Sequence, residues 1–116
     1  MRLITIAFIM LMNINAKSQN CIDNYNNALG YYQKGQYETV VNYLSDCLNE
    51  FNNNRQAYLN NSDIVFKVYK LIINSYRNID KNSLADQKFE ELKNYFNNLT
   101  VQQVQDQFNN TRLDPI

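Results

Sequence analysis

An all-α fold follows from three observations. The 116-residue chain has one proline and two glycines, so it lacks the turn signals that strand-rich folds need about every 8 to 12 residues. Its apolar residues recur every three or four positions through long polar runs, the period of a helix buried on one side. Between Cys21 and Cys47, two such amphipathic runs flank a Lys34-Gly35 turn, with a cysteine at each outer end. The expected architecture is two antiparallel helix-turn-helix hairpins and a short C-terminal capping helix.

The first eighteen residues read as an export segment. Met1-Arg2 is a short positive start, Leu3 to Met12 is apolar, and Ala16-Lys17-Ser18 puts small residues where a signal peptidase reads. The apolar run is too short to span a bilayer at about 1.5 Å per residue; an uncleaved anchor is the alternative. Ser18-Gln19-Asn20 before Cys21 is not the pattern of a lipidation site, and no later stretch is apolar enough to cross a membrane. Removing residues 1–18 leaves 98 residues, one domain with a modest core. Arg2 and Lys17 leave with that segment, so 9 basic residues face 11 acidic ones. No basic stripe remains to neutralise phosphates, which excludes an electrostatic nucleic-acid footprint.

In the first hairpin, at about 21–51, Ile22, Tyr25, Ala28, Leu29 and Tyr32 form one stripe, with Tyr31 beside them. Gly35 readily takes the left-handed conformation that ends a helix. Tyr37, Val40, Val41, Leu44, Cys47, Leu48 and Phe51 form the second stripe, and so short a connection makes the two helices antiparallel. Cys21 lies 13 residues before Lys34 and Cys47 lies 12 after Gly35, which puts them at one height. In an oxidising compartment such a pair bridges. Closing the loop contributes about 3 to 4 kcal/mol in the chain-entropy model. With two cysteines and no histidine, the chain offers no metal-ligand set and no need for a cofactor.

Residues 52–61 read as a polar connection with Tyr58-Leu59 folded back onto the core. The second hairpin occupies about 62–99. Asn61 or Ser62 caps a helix over 63–79, whose Ile64, Val65, Val68, Tyr69, Ile72, Tyr76 and Ile79 line one side while Phe66 and Ile73 line another. A helix apolar on two sides is covered by two neighbours, so it belongs in the middle of the stack. Asp80-Lys81-Asn82 makes the turn and Ser83 caps the next helix, with the stripe Leu84, Ala85, Phe89, Leu92, Phe96 and Leu99. Thr100 opens a last helix, Gln103 completes its cap, and Val101, Val104 and Phe108 form its apolar face. The tail from Asn109 to Ile116 is expected to be mobile, apart from Leu113.

The hairpin spacing resembles a tetratricopeptide repeat. Ala28, Tyr31, Gly35, Tyr37, Val40 and Leu44 stand in the matching places, and Tyr69, Ile72, Tyr76, Ala85 and Phe89 in those of a second repeat about eleven residues further off than usual. Asn24, Asn27 and Asn52 depart from the pattern in the first unit, with Cys47 for a small alanine. Ile73, Asp80, Asn82 and Leu92 depart in the second. A plain antiparallel bundle shares the periodicity. Together with the export segment and cysteines, the layout over 19–100 resembles small tetratricopeptide-like modules of Bacteroidota cell-envelope proteins.

That resemblance implies a protein or peptide partner held on the face lined by first helices. The candidate residues are Lys67, Lys70, Asn74 and Arg77, with Tyr25 and Tyr32 from the first unit. The Lys70/Asn74 pair resembles the pair with which some family members grip a carboxylate. The plainer readings are a solvated helix face for the charges and hairpin packing for the tyrosines. No histidine-dependent catalytic set exists, and Asp86, Glu90 and Glu91 lie beside Lys88 and Lys93 as an ordinary wet surface, so no enzyme is expected. The expected function is an exported scaffold in a bacterial periplasm or at the periplasmic face of the outer membrane. Two alternatives stand beside it. One is a secreted effector or eukaryotic secretory protein, for which Asn60-Asn61-Ser62, Asn98-Leu99-Thr100 and Asn109-Asn110-Thr111 supply glycosylation sequons. The other is the structural N-terminal domain of a larger envelope protein.

Overall fold

The computed structural model describes residues 21–116, so the expected export segment at 1–18 lies outside the described residues. Within them the fold is all-α and has no strand. Helix α1 covers 21–33, α2 is Tyr37–Asn53, α3 is Arg55–Leu59, α4 is Ser62–Asn78, α5 is Asn82–Tyr95 and α6 is Val101–Asn110. The two expected hairpins are α1/α2 and α4/α5, and α4 packs against both α2 and α5. Ten of the seventeen residues of α4 are buried, as a central helix requires, and Phe66 and Ile73 go inside with the main stripe.

The two hairpin turns are built alike. In the first, Gly35 N–H donates to Tyr32 O (3.0 Å) and Gln36 N–H to Tyr31 O (2.9 Å). In the second, Asp80 N–H donates to Arg77 O (3.2 Å) and Lys81 N–H to Tyr76 O (2.9 Å). Each is a Schellman closure, and a shift of 45 residues carries one onto the other. The same shift takes Ala28 to Ile73, Val40 to Ala85, Cys47 to Leu92 and Phe51 to Phe96, all of them buried. Such a fold is compatible with a helical repeat. Both turns need a left-handed residue: Gly35 has φ 76° and Asp80 has φ 59°. Aspartate tolerates that region at a cost that glycine avoids.

Cys21 and Cys47 form a disulfide with their Cα atoms 5.5 Å apart, tying α1 to α2. Both sulfurs are in the core.

Several local expectations shift. The connection 52–61 is shorter and more ordered than a polar loop, because α2 runs on to Asn53 and α3 follows at once. Tyr58 is buried with its ring 4.7 Å from that of Phe51. Arg55 donates to Tyr95 O (2.5 Å), and the Tyr95 hydroxyl donates to Phe51 O (2.8 Å), so the segment is locked to α5 from both sides. Neither Asn61 nor Ser83 makes a side-chain cap: Asn61 occupies the cap position of α4 with no such hydrogen bond, and α5 starts at Asn82, one residue before Ser83. Helix α5 also ends early, at Tyr95, where a turn redirects the chain. Phe96 still reaches the core and stacks on Phe66 at 4.8 Å. Leu84 and Val101, each in the first turn of its helix, leave their expected stripes and are exposed. The Thr100/Gln103 capping box forms in both directions, at 3.1 and 2.8 Å.

Two stability predictions follow from these closures. No heavy atom lies within 4 Å of a Cβ added at Gly35, so Gly35→Ala costs only backbone strain, about 1 kcal/mol. Asp80→Gly relieves the same strain and raises stability by about 0.5 to 1 kcal/mol. Urea unfolding of the two variants is expected to shift in opposite directions; a shift of the same sign contradicts the matched turns. For the disulfide, intact mass is expected to rise by two hydrogens on reduction, about 2 Da, with a stability loss of about 3 to 4 kcal/mol. Thiol labelling of the unreduced folded chain would contradict the bridge.

Candidate functional site

The surface between α1 and α4 collects three of the six candidate residues, and it is occupied. The tail after α6 turns back across it. Lys67 is only 7 % exposed despite its charge. Its ammonium donates to Arg112 O (2.8 Å), to Asp114 O (3.3 Å) and to the Asp114 carboxylate, and lies 5.9 Å from the centre of the Tyr25 ring. A buried ammonium persists only when its protons are all taken up, and the tail takes them up here. Tyr25, fully buried, donates its hydroxyl to Asp114 O at 3.0 Å. Lys70, one helical turn along α4, donates to Phe108 O (2.9 Å), Asn109 O (3.2 Å) and Thr111 O (2.8 Å). Those are carbonyls at the C-terminal end of α6, where the helix dipole favours a cation, and Phe108 O accepts from Thr111 N–H as well. Lys70 therefore serves as a side-chain cap for carbonyls 38 to 41 residues further on.

The other three candidates are elsewhere. Arg77 is paired with Asp86 of α5 (3.0 Å) at the exposed turn end of the hairpin. Asn74 is half-buried and its carbonyl accepts from Asn78 (2.8 Å). Tyr32 sits edge-on to Tyr37 at 5.4 Å across the first turn, which is hairpin packing.

The sequence reading missed the residues on the other side of the contact. The tail, expected to be mobile, is anchored along its length: α6 runs through Asn110, Leu113 packs against the core, and Asp114 meets Lys67. Asn26 of α1 then pairs with the Ile116 backbone in both directions. Its Nδ2 donates to Ile116 O (3.2 Å) and its Oδ1 accepts from Ile116 N (2.9 Å). One signal was in the sequence. Pro115 is the chain's sole proline, and a residue before proline is biased to extended backbone.

The electrostatics follow from this geometry. Burial, then the Asp114 and Asp63 carboxylates, push the Tyr25 phenol up to about 12. The hydrogen bond from Lys67 is the main cause that holds the Asp114 carboxyl below its usual range. Burial lowers Lys70. Among the described residues no group of three or more histidine, cysteine, aspartate or glutamate side chains is placed to hold a metal ion, and no helix is long and apolar enough to cross a membrane. The chain matches no family model, no curated protein and no solved structure.

The tail contact makes stability depend on pH at both ends. The Asp114 carboxyl is depressed in the fold, so its contribution is present above the usual value of 3.8 and is lost as pH falls below it. The Tyr25 phenol is raised, so its contribution is complete below 10 and is lost as pH climbs from 10 to about 12. Lys70, lowered from 10.5, works in the opposite sense in the alkaline window. The measurement is therefore a difference between variants. Melting curves across pH are expected to lose part of the acid slope in Asp114→Asn and part of the alkaline slope in Tyr25→Phe. At neutral pH, Tyr25→Phe costs about 0.5 to 1.5 kcal/mol for the lost hydrogen bond. Unchanged slopes in both would mean that the tail contact does not form.

Proposed function

We propose that this chain is a non-catalytic, exported scaffold that holds another protein through an extended segment, with its two hairpins acting as degenerate tetratricopeptide-like repeats in a bacterial periplasm or at the outer membrane. One observation carries the reading. Side chains of α1 and α4 bind the main-chain groups of an irregular segment: Lys67 and Tyr25 take carbonyls, and Asn26 takes a peptide N–H and C=O together. Recognition of main-chain groups by fixed side chains is what a peptide-binding surface needs, because it works before any side chain is read. The 45-residue correspondence of the two turns supports the repeat reading, and the buried disulfide suits an oxidising compartment.

The secretory alternative keeps one structural support. The acceptor residues Asn60, Asn98 and Asn109 of all three sequons are exposed. A glycan mass shift on the natural protein would favour that reading over the periplasmic one.

The test of the scaffold is affinity capture from the envelope fraction of the source organism, with the bait carrying its own leader. Wild type is expected to retain a discrete partner. Asn26→Ala/Lys67→Met, which removes two of the side chains that take main-chain groups, is expected to hold it at least about tenfold less well, the equivalent of roughly one charge-assisted hydrogen bond. Both baits must keep the helical circular-dichroism spectrum. Capture no different from that of a charge-matched control bait would refute the scaffold.

A further inference from the structure

The contact between the tail and the α1/α4 groove is built unlike the rest of the core. Its apolar part is one half-buried side chain, Leu113. Arg112 and Asp114 remain 86 % and 51 % exposed at their side chains. Beside it, between Asp63 and Lys67 of α4 and residues Thr111 to Asp114, lies an open hollow of about 320 Å³. Protein cores are close-packed, and this contact is not. Few buried apolar contacts and partly exposed hydrogen bonds are the marks of a segment that opens at low cost. Opening also leaves no stranded charge. When the tail lifts, Lys67 meets water, so the penalty for an uncompensated buried ammonium does not arise.

What the groove reads is equally plain. Tyr25, Asn26 and Lys67 take backbone groups, which any extended segment supplies. Side-chain preference enters at two adjacent positions: an apolar residue packed on the core, filled by Leu113, and a carboxylate on the Lys67 ammonium, filled by Asp114.

We infer that the α1/α4 groove is a binding site for an extended peptide carrying an apolar residue followed by an acidic one, and that residues 111–116 are its tethered occupant, which an outside segment must displace. This rests on the reading of the chain as a protein-binding scaffold and names the chemistry of what it holds. A tethered competitor lowers the apparent affinity in proportion to the time it occupies the site. If the tail is docked in about nine molecules of ten, an outside ligand binds about tenfold more weakly.

The experiment uses the full chain and a labelled synthetic peptide, Asn-Asn-Thr-Arg-Leu-Asp-Pro-Ile, the sequence of residues 109–116. Fluorescence anisotropy is read for wild type and for Leu113→Ser/Asp114→Ser, which frees the tail and leaves the groove untouched. The freed chain is expected to bind at least about tenfold more tightly than wild type. A peptide with the same two substitutions is expected not to bind, and Lys67→Met added to the freed chain is expected to abolish binding. Each variant is checked by circular dichroism and thermal melting, and Asn26→Ala, at a half-buried position outside the apolar core, is a second groove variant expected to weaken binding. Equal affinity of wild type and freed chain overturns the proposal, as does binding by neither or equal binding of a scrambled peptide. A chain that binds the peptide and captures no envelope protein would refute the scaffold and leave the groove standing. The reverse result would refute the groove alone.

Discussion

The structure depends on α4 having to be covered on more than one side. Val65, Val68, Leu71, Ile72 and Ile73 are all at most 1 % exposed, and they do not lie on one narrow stripe. Burial of a full aliphatic side chain stabilises by about 1.5 to 3 kcal/mol, so leaving either side open would remove several such contributions from a small domain. Helix α2 takes one flank and α5 the other. The disulfide and the α3 staple then matter as devices that hold those covers in place. Cys21–Cys47 keeps α1 on α2, and Arg55 and Tyr95 bind the connection to the far helix.

With both flanks filled by apolar packing, the remaining side of α4 has a different chemistry. Lys67 and Lys70 fall on it one turn apart, and each needs oxygen acceptors to remain inside the fold. The end of α6 and the tail are rich in such acceptors, because helix C-termini leave carbonyls unpaired and an irregular strand leaves nearly all of its own free. The capping of the last helix and the closing of the groove are thus one event. Phe89 and Phe108, edge-on at 5.3 Å, complete it on the α5 side. The cations of α4 are thus satisfied largely by main-chain oxygens of the same chain.

Most of the hairpin architecture was legible in the residues. Gly35 announced a left-handed turn, the two-sided apolar pattern placed α4 in the centre, and Thr100 with Gln103 announced the cap of α6. Local signals of this kind depend on backbone conformation within a few residues. Legibility failed where an outcome turned on a distant partner. Asp80 performs the task of a glycine, and nothing in its neighbourhood says so except the repeat shift. Leu84 carries the right period and stays exposed, because periodicity says which side a residue lies on and not whether a neighbour extends that far. Lys67, Lys70 and Tyr25 were legible as members of one face, whereas their occupancy was not.

The sequence by itself determined the class, the two hairpins, the central helix and the cysteine pair, since each follows from composition, period and spacing over short range. Only the tertiary structure decided what lies against the third side of α4. The meeting of Lys67 with Asp114 joins residues 47 apart, and that of Asn26 with Ile116 joins residues 90 apart. No periodic pattern links such positions. They come together because the path of α6 carries the tail across α4, where its oxygens take up the protons of Lys67.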